Sequence, residues 1–149
     1  MNSQELTKLF LRDLDKLAEE MRSYQNSSII WKTPGEVNNS SGNLCVHLCG
    51  NLQHFIGAIL GESGYIRDRH KEFNCTDIPV SQMLLEIERT KAVVSSTLSD
   101  LDPEQLSKNY PLEVFGSKMT CGYFLLHLLG HLNYHLGQIS YHRRILDAI

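Results

Sequence analysis

Three histidines, His127, His131 and His135, recur at every fourth position near the end of the chain, among leucines at 125, 128, 129, 132 and 136. Four residues advance an α-helix by about 400° and rise about 6 Å, so side chains at this spacing form one slowly drifting stripe. The stretch from Thr120 to Ile149 therefore predicts a long helix, N-capped by Thr120, with a polar row set in apolar surface. Whatever covers that row must satisfy it, because a buried imidazole needs partners. Neutral imidazoles one turn apart can share one divalent ion, so an HxxxH step is half of a metal site. The alternative is a helix whose core histidines are hydrogen-bonded to protein. A third ligand from elsewhere in the chain decides between the two.

The rest of the chain has the same helical grain. Leu6, Leu9, Phe10, Leu14, Leu17 and Met21 mark one face of a first helix from Gln4 to about Gln25, with Ser3 as its N-cap. Asn26, Ser27 and Ser28 end it, Pro34 and Gly35 mark a turn, and Trp31 is expected to plug the end of the bundle. A second helix, about Ser41 to Leu60, carries Leu44, Leu48, Leu52, Phe55 and Ile59 on one stripe and His47, Asn51 and His54 on another. That second stripe is the candidate source of the third ligand. Gly50, Gly57 and Gly61 predict close approach of another helix or a local irregularity.

From Gly61 to Pro79 the chain makes an excursion whose mixed charges, Arg67 to Glu72, predict a structural salt-bridge network anchored by Tyr65 and Phe73. A third long helix starts near Pro79 and Val80, with Ser81 in its first turn. It carries Met83, Leu84, Ile87, Val94 and Leu98 on its apolar face. Asp102 before Pro103 caps a short turn. Tyr110 to Thr120 predicts a small β-hairpin with Gly116 at its turn. Four long helical patterns with one long crossover make an all-α bundle, in which metal sites are built from inward side chains on facing helices. That geometry suits His47 on one helix and two histidines on another.

Composition excludes several classes. At 149 residues the chain fits one domain, 1–149. Its net charge of −3, without a basic run, argues against nucleic acid as a partner. No stretch approaches the roughly 18 apolar residues of a membrane span, and MNSQELTKLF lacks the pattern of a signal peptide, so a cytoplasmic protein is expected. Cys45, Cys49, Cys75 and Cys121 form no CxxC pair and read as small buried residues without disulfides. Leu128 and Leu132 follow His127 and His131, where a zinc protease of the HExxH type needs a glutamate. No GxSxG motif or Gly-rich phosphate loop is present.

The segment His127-xxx-His131-xxx-His135-Leu-Gly-Gln resembles the C-terminal HxxxHxGQ helix of the DinB-like (YfiT-like) metal-binding superfamily. The stretch from Asn39 to Leu52, NSSGNLCVHLCGNL, resembles the NSxGNLxxHLxGNL signature of one uncharacterised branch, and the run RDRHKEF from Arg67 to Phe73 fits that branch too. The resemblance implies an up-down-down-up four-helix bundle and a metal held by His47, His131 and His135. It also implies a homodimer, to which the four glycines in or just after the second helix add support. Some relatives in the superfamily are transferases or isomerases dependent on bacillithiol, mycothiol or a glutathione counterpart. Others have no known activity.

Two function classes follow. One is a metal-dependent enzyme, with zinc or nickel as the expected ion, that activates a low-molecular-weight thiol toward a small-molecule substrate. His127, Asn51 and His54 are then the candidate catalytic residues. The other is a non-enzymatic metal-binding or stress-linked module. A structural site is closed by a fourth protein ligand, whereas a catalytic one keeps a position open to a pocket.

Overall fold

The computed structural model describes residues 1–147, so the end of the stretch from Thr120 to Ile149 lies outside the described residues. Six α-helices are present among them: α1 (Ser3–Ser23), α2 (Ser41–Leu52), α3 (Arg69–Asn74), α4 (Val80–Ser99), α5 (Pro103–Ser107) and α6 (Cys121–Leu146). Side-chain caps start three of the long ones, α1, α2 and α6, whereas α4 begins after Pro79 without one. Ser40 accepts from the Asn43 amide at the head of α2 (3.1 Å), and Thr120 accepts from the Tyr123 amide at the head of α6 (3.1 Å). Asn2, rather than Ser3, caps α1, by accepting from the Gln4 amide at 2.7 Å. Asp102 and Gln105 cap α5 reciprocally, a capping box with Pro103 in the first turn.

Contacts along the helices fix their directions. Asp13 of α1 meets Asn133 of α6 and Glu20 meets Arg143, so these two helices run parallel. His47 lies against His131 and Phe55 against Phe124, so α2 runs antiparallel to α6. Gln53 meets Thr90, and Gly57 faces Val93, so α4 runs parallel to α2. The result is an all-α, up-down-down-up bundle with the long crossover between α2 and α4. Phe10, Leu14, Leu17, Leu48, Leu52, Ile87, Leu98, Phe124, Leu125 and Leu132 meet in its fully buried core. No helix among the described residues is long and apolar enough to cross a membrane.

Two local expectations resolve differently. The second helix keeps α-helical bonding only to Leu52, and Gln53–Ala58 winds as a π-turn. Gly57 brings the end of α2 onto α4: a Cβ there would lie 2.6 Å from a Val93 methyl. The Phe55 carbonyl is taken by the Tyr110 hydroxyl at 2.6 Å, which supports the irregular turn. The expected hairpin at Tyr110 to Thr120 reduces to one antiparallel bridge, Asn109 with Thr120. Pro111, two residues on from Asn109, has no N–H with which to extend a ladder. Gly116 does supply the turn, at φ +82.

The glycines of the second helix are occupied within this chain. Gly42 lies under the Trp31 ring, Gly50 under Glu72, Gly57 under Val93 and Gly61 under Thr97. They therefore lend no support to a second copy of the protein.

Candidate metal centre

His47, His131 and His135 converge. One ligand atom from each lies within 4.8 Å of the others, and Nε2 of His131 stands 3.2 Å from Nε2 of both His47 and His135. His47 is buried in α2, and the other two are half-buried on successive turns of α6. The helical repeat aligns the α6 pair, and antiparallel packing of α2 brings the third imidazole across.

Partners on the far side of the rings set their protonation. Nδ1 of His47 faces the Glu72 carboxylate at 3.0 Å, so it carries the hydrogen and leaves Nε2 as a bare lone pair. Nδ1 of His135 likewise donates to the Gln138 side-chain oxygen at 2.7 Å. Burial, reinforced by His135, His47 and its other neighbours, pushes His131 down to about 4. Burial lowers His135 as well, against the opposing effect of its bond to Gln138. Burial thus favours neutral imidazoles at His131 and His135, the form that ligates metal.

Glu72 is the residue whose role the sequence did not reveal. It is only 3% exposed, and Arg67 grips it with a fork: Nε donates to Oε2 at 2.8 Å and Nη2 to Oε1 at 2.9 Å. Burial alone would raise its pKa, but the bonds from His47 and Arg67 prevail and hold it below the usual carboxylate value. The expected salt-bridge network of the excursion is thus present, with its central carboxylate turned onto a histidine of the cluster. Phe73 packs on the His47 ring with centroids 4.6 Å apart, which anchors the excursion to α2.

The cluster stops at three histidines among the described residues. His127 is exposed, stacked on Phe124 and edge-on to Phe115. His54 is half-buried beside the Phe55 ring, its pKa lowered by burial and then by Arg67. Asn51 is buried one turn beyond His47, and its side-chain oxygen has no hydrogen-bond partner among the described residues. The same holds for Nδ1 of His131. All four cysteines are free and none belongs to the cluster. A cavity of about 550 Å³ adjoins the centre, with His135 and Gln138 in its wall.

The donor set fits a divalent ion. Two Nε2 lone pairs are aimed at the third imidazole by hydrogen bonds on the opposite ring edges, and among the described residues no carboxylate or thiol joins the cluster.

A crystal structure described as that of a conserved protein of locus from Enterococcus faecalis superposes with a TM-score of 0.77. The superposition covers 100% of this chain and 99% of that one at 18% sequence identity, which is a likeness of fold. No curated protein matches the sequence. Residues 4–148 match a DinB-like family described as "Protein of unknown function (DUF1572)". The chain belongs to the DUF1572 family.

Proposed function

We propose that His47, His131 and His135 hold one divalent ion, zinc or nickel, at the centre of a metal-dependent enzyme that activates a low-molecular-weight thiol for transfer to an electrophilic small molecule. The observation that carries this reading is the pair of Nε2 lone pairs directed at His131 beside a cavity. Three neutral imidazoles leave the charge of a bound divalent ion uncompensated, so the ion acts there as a Lewis acid that lowers the pKa of a thiol. Within the chain, Glu72 and Gln138 orient the imidazoles. Asn51 offers an acceptor of the kind that an Nδ1–H on His131 requires. His127, exposed one turn from His131, is the side chain available to move a proton.

Elemental analysis after dialysis tests the ligand set. The parent protein is expected to retain about one ion per chain, and His47→Ala, His131→Ala and His135→Ala each to lose most of it. His127→Ala and His54→Ala should keep it. A triple alanine variant that retains as much metal as the parent sinks the assignment.

We also infer a homodimer formed through the outer face of α6. Tyr123, Leu126 and Tyr134 are exposed there, and Gly130 and Gly137 lie beside them with open space where a side chain would be. Positions three or four apart share one face of the helix, and the glycines permit close approach. Light scattering is expected to give twice the chain mass of 17.0 kDa, and Tyr134→Glu to give the monomer. A monomeric parent at all concentrations overturns the inference.

A further inference from the structure

The cavity beside His135 has a definite chemical character. One wall is the loop before α2, with Val37, Asn38 and Asn39, and the other is the last turns of α6, with Gln138 and Ile145. Its floor includes Ser41 and His142, whose polar atoms are already engaged. The Tyr24 hydroxyl lies 2.7 Å from both Ser41 Oγ and His142 Nδ1, and His142 Nε2 donates to the Lys32 carbonyl at 2.8 Å. The floor is therefore fixed by its own hydrogen bonds.

The charge of the lining is one-sided. Among the described residues Glu36 is the only acidic lining residue, and no lysine or arginine belongs to it. Arg143, the nearest arginine in α6 to His142, is held by Glu20 at 2.6 Å. Lys32 lines a neighbouring hollow. A carboxylate or phosphate entering the cavity would find amides but no cation, with Glu36 opposing it. An uncharged or cationic body finds apolar contact on Val37 and Ile145, amide hydrogen bonds from Asn38 and Asn39, and the Glu36 carboxylate.

We propose that this cavity is the binding site for a small thiol with an uncharged or cationic body, its sulfur directed to the His135 end, and that it selects against anionic thiols. The inference rests on the three-histidine reading, which supplies the reason for sulfur to lead. The volume is sufficient for a molecule of drug-like size or smaller.

The test is calorimetric titration of zinc-loaded protein with an aminothiol and a mercaptocarboxylate that share one four-carbon chain. A unit charge a few ångströms from an exposed carboxylate changes affinity by about fivefold, so the aminothiol is expected to bind about tenfold or more tighter at low salt. Glu36→Lys, on an exposed loop, should invert the order without changing zinc content. Val37→Trp, which fills the cavity, should weaken both ligands and leave zinc in place. Equal affinities in the parent, or a preference that Glu36→Lys leaves unchanged, overturn the proposal while the metal reading stands. A parent protein that takes up no zinc overturns the three-histidine reading, and this inference falls with it.

Discussion

Gly50→Ala is expected to destabilise the protein by about 2–4 kcal/mol, although alanine is the better helix former by about 1 kcal/mol. A Cβ at position 50 would lie 2.7 Å from the Glu72 carboxyl carbon and 3.3 Å from its Cγ. A glutamate tip on the surface would swing aside at little cost. This one is buried and tied to Arg67 by two bonds and to His47 by a third. Moving it strands a buried carboxylate and leaves the Nδ1–H of His47 unpaired, which is where the large cost arises. Urea denaturation measures the loss, and a double-mutant cycle assigns it. In a Glu72→Ala background the same Gly50→Ala change should be neutral or stabilising, because only its helix propensity remains. An equal loss in both backgrounds would show that Glu72 is not the cause. Metal affinity should fall by about 10–100-fold in Gly50→Ala, the usual consequence of losing a partner that orients a ligating histidine.

That glycine shows where the sequence can and cannot be read. The apolar periods of α1, α4 and α6 are long, and each of those helices lies close to its expected place. His131 and His135 fall together because a helix repeat is local. The stripe of His47, Asn51 and His54 marked where a third ligand could come from, but only the motif around His47 singled it out, since packing between helices is not written in the spacing of either one. Gly50 offered a signal of close approach, but not the identity of what approaches. The natural expectation was another helix or another subunit, and the occupant is Glu72. Nothing in a run of mixed charges such as RDRHKEF distinguishes the one carboxylate that will be buried. Gly57 signalled the irregularity after Leu52, but not its form as a π-turn, which depends on Val93 and Tyr110 arriving from distant segments.

Zinc loading is expected to raise the melting temperature by about 8–16 °C. An ion present at a thousand times its dissociation constant stabilises the folded state by about 4 kcal/mol, and a domain of this size gains about 2–4 °C per kcal/mol. His131→Ala should remove most of the shift, because it takes away the imidazole on which the other two converge. The effect also has a predictable pH window. His131 is pushed down to about 4 in the fold from an ordinary value of 6.5. The unfolded chain therefore takes up the proton first, and the metal-free protein should lose stability as pH falls from about 6.5 to about 4, then level off in this respect. His131 is half-buried, so solvent screening reduces the ideal value to about 1–2 kcal/mol. Glu72, whose pKa is lowered, contributes its own loss only at more acid pH, outside the upper part of this window. The protons that destabilise the metal-free protein also compete with zinc for the same imidazoles, so the zinc-dependent shift should shrink over the same range. Scanning calorimetry at several pH values, with and without zinc, separates the two. A zinc shift that persists in His131→Ala would place the ion elsewhere. Metal-free stability that stays flat between pH 6.5 and 4 would mean that His131 is not held neutral by the fold.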